Sequence, residues 1–178
     1  MNITNNLEIE RKFLVEYPNV NTLDVKQISS IVQTYLQDGN NGSQRRIREI
    51  SENGIIKYTY TEKIFRSAAV REEYERYINA EEYQNLILQA KKEFKPVNKT
   101  RYVFDYMGQL FELDCYSFSN KFAILELELQ CEEQRIIFPE NINVIAEVTS
   151  DHKYSNASLA NAGCFPDEKS CGSAKEEC

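Results

Sequence analysis

The 178-residue sequence predicts an α+β fold, in which helices cover the apolar face of an antiparallel β-sheet. Charged and apolar residues alternate along many short segments, the pattern of a strand with one buried and one polar face. In LEIERKFLV, residues 7–15, Glu8, Glu10 and Lys12 would share one face. An open sheet would leave such faces in water, whereas a closed sheet would line a polar lumen with them.

The same alternation recurs in later segments of the chain. It is seen in RRIRE, KYTYTEK, VREEYERYI, KTRYVFDY, LFELDCY and AILELEL. Turn-forming stretches such as DGNNGS and SENG separate these segments, as expected for hairpins. The predicted strands cover residues 7–15, 29–37, 44–50, 55–64, 70–78, 99–106, 109–116, 122–130 and 143–149.

Helical segments are predicted at three places between and after the strands. A short helix is expected at about 21–26. From Asn79 the apolar residues recur at helical spacing, with two glutamates in the first turn and Pro96 as the stop. The segment YSNASLANAG predicts a closing helix that ends at Gly163.

Composition restricts the classes of function. The formal net charge of −7 and the pI of about 4.9 argue against nucleic-acid and membrane-surface partners. No apolar run is long enough to span a membrane and no leader-like segment is seen, so a cytoplasmic protein is expected. The five cysteines form no CxxC pair, which favours reduced thiols. With His152 as the single histidine, zinc is not expected, and a metal would be a hard cation held by carboxylates.

The domain organisation follows from length and local composition. Residues 1–163 suit one domain of ordinary size. Residues 164–178 are small and polar, with cysteines at Cys164, Cys171 and Cys178, and are expected to form a flexible tail. A homodimer is compatible with the sequence.

Two interpretations fit the charged strand faces. Acids and bases could pair across neighbouring strands, or the acids could hold a divalent cation while the bases hold a polyanion such as a chain of phosphates. The acidic pairs are Glu8 and Glu10, Glu73 and Glu75, Glu112 and Asp114, and Glu126 and Glu128. The basic set is Lys12, Arg46, Arg48, Lys57, Lys63, Arg71, Lys99 and Arg101.

The order of the motifs carries a family resemblance. Residues 8–12 match the pattern ExExK. QTYL, RIR, TEK, REEYE, KTRY, ELD, ELEL and EVTSDHKYSNASLA follow in that order. Over residues 7–160 the chain resembles the CYTH superfamily, the triphosphate tunnel metalloenzymes. One departure is YTYTEKIFRS, in which Thr61 and Lys63 keep their places and Glu62 is new.

The resemblance implies a closed eight-stranded antiparallel β-barrel that encloses a tunnel, with helices packed outside. It implies Mg²⁺ or Mn²⁺ as the cofactor and a small polyanion as the partner. The implied metal ligands are Glu8, Glu10, Asp114, Glu126 and Glu128. The implied substrate-binding residues are Lys12, Arg46, Arg48, Lys63, Lys99, Arg101 and Lys153.

Among members of the superfamily, the chain resembles short bacterial inorganic triphosphatases. That resemblance implies that Lys12 and Tyr35 form the acid–base pair. The surrounding arginines are expected to lower the pKa of Lys12. Three alternatives stay open: a class IV adenylate cyclase, a thiamine triphosphatase, and a non-catalytic module that binds polyphosphate or nucleotides.

Overall fold

The computed structural model describes residues 9–39, 42–65, 71–131 and 133–168. These residues form one antiparallel sheet with an α-helix on its outer face and a second α-helix at one end. The strands are β1 (Ile9–Glu16), β2 (Val25–Leu36), β3 (Gln44–Glu52), β4 (Ile55–Phe65), β5 (Arg71–Ile78), β6 (Val97–Tyr106), β7 (Gln109–Tyr116), β8 (Phe122–Leu129) and β9 (Val144–Glu147). The α-helices are α1 (Ala80–Ile87) and α2 (Asn156–Ala162).

In the described part of the chain the sheet has nine strands, in the order β5-β4-β3-β2-β6-β7-β8-β1-β9. The resemblance implies eight strands closed into a barrel, but the described strands do not close by hydrogen bonding, and β5 and β9 are the two ends. The ninth strand explains part of the difference. It pairs with the free edge of β1, with Phe13 opposite Glu147, and so occupies the edge that closure would need.

The strand register places the charged residues on one face, as the alternation predicts. Lys12 lies opposite Glu126, and Arg101 lies opposite Asp114. The sheet is curled around this face, which brings Lys12 on β1 within electrostatic range of Lys63 on β4, although five strands separate β1 and β4 in the sheet order. We call it the concave face.

Among the described residues, three apolar clusters pack against the sheet. Phe13, Leu113 and Leu125 belong to the cluster beneath β1, β6, β7 and β8. A second cluster joins β2 and β3 to α1 through Ile47 and Tyr83. The third occupies one end of the concave face, where α2 packs against side chains of β1, β2, β6, β7 and β8. That end of the face is therefore apolar, and the charges lie beyond it.

Two helix predictions need correction. The predicted helix at about 21–26 is a single 3₁₀ turn at Val20–Thr22, and β2 already begins at Val25. The helix after Asn79 ends at Ile87 rather than near Pro96. It ends early because the following residues bond to the end of β2: the N–H of Lys91 donates to the carbonyl of Tyr35 at 2.9 Å.

Part of the predicted tail is folded. Residues 164–168 pack against the domain, with Phe165 fully buried. Cys164 forms a disulfide, so the expectation of reduced thiols is wrong there, whereas Cys115 and Cys131 are free. Residues 169–178, with Cys171 and Cys178, lie outside the described residues. Within the described part of the chain, no helix has the length and apolar character needed to span a membrane.

Candidate functional site

Asp114 on β7 lies at the centre of the buried half of the site. Its side chain is completely buried and accepts hydrogen bonds from Lys99 and from the Arg101 Nε and Nη2 atoms, the latter two at 2.7 and 2.8 Å. Burial alone would raise the pKa of Asp114, but the charges of Lys99 and Arg101 hold it well below its usual range. Asp114 is therefore a buried carboxylate held by two cations.

Arg101 connects this buried pair to the neighbouring strands. Its Nη2 donates to Glu126 Oε2 at 2.8 Å, and its Nη1 donates to Glu112. The pKa of Lys99 is lowered overall, because burial lowers it by more than the charge of Asp114 raises it. The sequence does not predict the low pKa of Asp114 or the low pKa of Lys99, since both depend on which strands become neighbours.

Lys12 lies between two carboxylates. Its Nζ is 2.7 Å from Glu126 Oε1 and 3.1 Å from Glu10 Oε2. Burial lowers the pKa of Lys12, but the charges of Glu126 and Glu10 outweigh burial and raise it overall. The expected lowering of the Lys12 pKa is therefore wrong, because acids rather than arginines are its nearest partners. Lysines with a lowered pKa on this face are Lys63 and Lys99.

The second half of the site lies on β3, β4 and β5. Arg48 Nη2 is 2.6 Å from Glu75 Oε2, and Lys63 Nζ is 2.7 Å from Glu73 Oε2. Arg48 reaches from β3 across β4 to β5, which is feasible because the intervening β4 residues are the short Thr59 and Thr61. Thr61 also donates to Glu75 at 2.8 Å. The partially exposed glutamates of β5 thus hold the cations of β3 and β4.

Arg46 has weaker contacts than its neighbours. Its Nη1 is 3.5 Å from Gln33 Oε1, and its Nη2 is 3.3 Å from Glu73 Oε1. Its Nε is buried and has no hydrogen-bond partner among the described residues. An unsatisfied buried donor on a guanidinium is costly unless a ligand accepts from it. Arg46 therefore has a free donor for an anion on the concave face.

Tyr35 lies where the charged face meets the apolar end. It is buried, its ring meets Phe94 edge to face at 5.6 Å, and its Oη accepts from Gln33 Nε2 at 3.0 Å. Burial raises the pKa of Tyr35, while the charges of Arg46 and Lys12 oppose this. Tyr35 and Lys12 are thus within electrostatic range of each other, although they lie on strands far apart in the sheet order.

Lys153 is a predicted site residue that the structure does not bring into this network. The side chain of Lys153 is exposed, in a 3₁₀ turn outside the sheet, and its backbone N–H donates to Asp151. Glu8 lies outside the described residues. Glu62, the departure from the family pattern, accepts from Ser43 and Tyr60. Because side chains alternate along a strand, Glu62 lies on the other face of the sheet from Thr61 and Lys63.

Several residues of the network were not among the predicted site residues. Glu73, Glu75 and Glu112 pair with the basic side chains, and Gln33 contacts both Tyr35 and Arg46. The glutamates stand out in the sequence as acidic i, i+2 pairs. Gln33 lies two residues before Tyr35 in QTYL, and this spacing indicates that the two side chains share one face of the strand.

The carboxylates at the end of the face away from α2 fit a hard divalent cation. Glu10 lies directly opposite Glu128, and Glu126 lies opposite Glu112 on the next strand. Like charges directly opposite destabilise a sheet, and an all-oxygen donor set suits Mg²⁺ or Mn²⁺. Burial and the charge of Glu126 raise the pKa of Glu10. In the described residues, however, the side chains do not converge as a metal-binding group of three or more.

The fold and site define a protein of the CYTH type. The family model described as the CYTH domain matches residues 6–161, and the chain belongs to this family. No curated protein matches the sequence significantly.

Solved structures give a closer comparison. The structure described as the inorganic triphosphatase NE1496 is 31% identical, with a TM-score of 0.58, over 86% of this chain and 97% of that one. A second structure, described as the hypothetical protein NE1496, is also 31% identical, with a TM-score of 0.56, over 89% and 99% of the two chains. PH1819 from Pyrococcus horikoshii OT3 is 23% identical, with a TM-score of 0.50, over 70% and 80%, and supports the fold alone.

Proposed function

We propose that this protein is a metal-dependent phosphohydrolase that cleaves the terminal phosphoanhydride of inorganic triphosphate. The observation that carries the proposal is the buried Arg46 Nε without a partner, beside Arg48 and Lys63 on the concave face. A donor of this kind calls for an anionic acceptor, and guanidinium groups match phosphate oxygens in geometry. The 31% identity to a structure described as an inorganic triphosphatase supports the choice of substrate.

The basic residues divide into two groups with different roles. Arg46, Arg48 and Lys63 are held by the partially exposed Glu73 and Glu75, so they can exchange these partners for phosphate oxygens. Lys99 and Arg101 are paired with the buried Asp114, so they would keep their positions while the first group exchanges partners. Holding the non-reacting phosphates in this way fixes the reacting phosphate for in-line attack.

The divalent cation, Mg²⁺ or Mn²⁺, would be held by Glu10, Glu126 and Glu128, with Glu8 as a further proposed ligand. When bound, it would neutralise phosphate oxygens and stabilise the charge of the transition state. Asp114 was also predicted as a ligand. Its oxygens already accept from Lys99 and Arg101, so we assign it to the positioning of those two cations.

Lys12 and Tyr35 remain the proposed acid–base pair. The raised pKa of Lys12 keeps it protonated at neutral pH, so it would stabilise the charge of the leaving oxygen by a hydrogen bond rather than by giving up its proton. Tyr35, whose pKa is also raised, would be present as the phenol and orient oxygens by hydrogen bonding. Lys153 is proposed as a contact at the rim of the site.

Phosphate release from inorganic triphosphate, ATP and thiamine triphosphate tests the proposal. Each substrate is assayed with Mg²⁺, with Mn²⁺ and with a chelator. Fast release from inorganic triphosphate that the chelator abolishes is the expected result. Pyrophosphate and cyclic AMP from ATP would indicate a cyclase instead, preferential hydrolysis of thiamine triphosphate would reassign the substrate, and tight triphosphate binding without turnover would indicate a binding module.

The variant Glu126→Gln tests the assignment of the metal to β1 and β8. It keeps the shape of the side chain but removes the charge that a divalent cation needs. We expect loss of metal-dependent turnover with an unchanged circular dichroism spectrum. Full activity in this variant would remove Glu126 from the site.

A further inference from the structure

We propose that Phe165 is a positioning residue of the candidate site, which acts through Tyr116 on Lys99. Phe165 lies beyond the residues matched by the family model, 6–161, and after the end of α2. We call residues 163–168 the C-terminal strap. The kinetic test of this proposal rests on the proposed function, and a second test below does not require turnover.

Phe165 is seated among aromatic rings. Its side chain is fully buried, and its ring meets those of Tyr116 and Phe118 edge to face at 5.4 Å each. The rings of Phe122 and Tyr154 lie at 6.0 and 6.4 Å. Such pairs prefer edge-to-face geometry and add specificity beyond the area they bury. Phe165 is therefore an anchor, and the segment that carries it is ordered around it.

Polar contacts hold the strap on both sides of the anchor. Gly163 ends α2 in the left-handed conformation, with a φ of 72°, and turns the chain back towards the sheet. Ser119 Oγ donates to Glu168 Oε1 at 2.6 Å, and the Tyr154 hydroxyl donates to Asp167. The strap thus joins α2 to the turn between β7 and β8.

Tyr116 connects the anchor to the charged face. It lies directly opposite Lys99 in the sheet, and the Lys99 Nζ is 5.8 Å from the centre of its ring. Its hydroxyl donates to Asn156 Oδ1 at 2.8 Å, at the start of α2. Lys99 in turn holds Asp114. The ring of Tyr116 is therefore fixed by Phe165 on one side and faces the buried cation on the other.

Removal of the Phe165 ring would leave a cavity into which Tyr116 can move. Lys99 would lose the surface that defines its position, and the contacts of Asp114 would loosen with it. Small misplacements of groups that orient a substrate lower the rate of the chemical step. The rings that contact Phe165 are not partners of Arg46, Arg48 or Lys63 in the described ion pairs, so binding of the substrate should be retained.

The kinetic test compares Phe165→Ala with Phe165→Leu and with a control, Phe138→Ala. Phe138 also packs edge to face, at 4.9 Å, but on Phe13 of the other cluster. All variants are assayed with inorganic triphosphate and Mg²⁺ at a temperature where circular dichroism shows them folded. We expect Phe165→Ala to lower kcat by roughly tenfold with KM within about twofold of wild type. Phe165→Leu should recover most of kcat, and Phe138→Ala should change neither constant.

Two kinetic outcomes would overturn the proposal. One is a kcat for Phe165→Ala equal to that of Phe138→Ala, and the other is a change confined to KM. If Phe165→Ala does not fold, Phe165→Leu is measured alone and together with Tyr116→Leu. Because Phe165 acts through Tyr116, it should cost nothing further in the Tyr116→Leu background, whereas fully additive losses would contradict the pathway.

Hydrogen exchange tests the same coupling without turnover. Inorganic triphosphate with Ca²⁺ is added to the full chain, and exchange is followed by mass spectrometry in peptides covering residues 159–168 and β3. Slower exchange in both peptides supports the proposal. Protection of β3 alone would overturn it. Protection of both peptides in a protein that releases no phosphate would disprove the proposed hydrolysis and leave the role of Phe165 intact.

Discussion

The candidate site contains buried charges that depend on one another. Asp114 and Lys99 are almost completely removed from water, and each needs the other to be charged. Taking two ions out of water costs several kcal/mol each, and mutual attraction offsets this only when the geometry is good. Loss of one partner therefore exposes the full cost of the other.

Asp114→Asn should destabilise the fold by about 3–5 kcal/mol, because it leaves Lys99 and Arg101 without their shared counter-charge. Urea unfolding at pH 7 measures the change. The control is Glu147→Gln, which removes the exposed partner of Arg11 and should cost only about 0–1 kcal/mol. Equal effects of the two substitutions would contradict the burial of the Asp114 charge.

The Asp114 carboxylate also predicts how stability depends on pH. Its pKa is lower in the folded chain than in the unfolded chain, so its contribution is complete above the unfolded-state pKa of about 3.9 and is lost as pH falls below it. The difference in unfolding free energy between wild type and Asp114→Asn should therefore shrink from pH 5 to pH 2. A difference that stays constant over this range would show that folding does not lower the pKa of Asp114.

Arg46→Lys removes the planar donor pair that fits a phosphate but keeps the positive charge. We expect KM for inorganic triphosphate to rise on the order of tenfold, since a lysine cannot bind two phosphate oxygens in a fork. The matched control is Arg45→Lys on the neighbouring position of β3, where the guanidinium donates to the Gln37 carbonyl instead. An unchanged KM for Arg46→Lys would remove Arg46 from the binding surface.

At the scale of elements, the sequence predicts strands more reliably than helices. The alternation of charged and apolar residues depends on each strand alone, and it correctly assigns Lys12, Arg101 and Asp114 to one face. Helix length depends on what the chain meets next. The predicted continuation of α1 to Pro96 is lost because residues 89–91 bond to the end of β2, and no local pattern reports that contact.

Asn79→Ala should separate the outer helix from the site. The Asn79 side chain caps α1 by accepting from the Glu82 N–H at 2.8 Å, and loss of such a cap costs about 1 kcal/mol. The midpoint of urea unfolding should fall while kcat and KM for inorganic triphosphate stay unchanged, because α1 packs on the face opposite the charges. Asn79→Asp, which preserves the cap, should restore the midpoint. A loss of activity in Asn79→Ala would mean that α1 influences the concave face.

At the scale of the whole molecule, strand order is the feature that the sequence could not provide. The pairing of β2 with β6 and of β1 with both β8 and β9 joins distant parts of the chain, and these pairings decide which charges meet. The raised pKa of Lys12 follows from Glu126, which is 114 residues away. The family resemblance proposes members of the candidate site, and the register determines which of those side chains become neighbours.

The curled sheet also predicts how a ligand acts on the entire domain. A triphosphate that contacts Arg46 on β3 and Arg101 on β6 ties together strands that are otherwise linked only through β2. At a concentration of 100 times Kd it should stabilise the folded chain by about 2.7 kcal/mol, which for a domain of this size raises Tm by roughly 5–10 °C. Differential scanning calorimetry with Ca²⁺ and inorganic triphosphate measures this shift. Orthophosphate at the same concentration should raise Tm far less, because a single phosphate cannot span Arg46 and Arg101. Equal Tm shifts from the two anions would contradict a site built for a chain of phosphates.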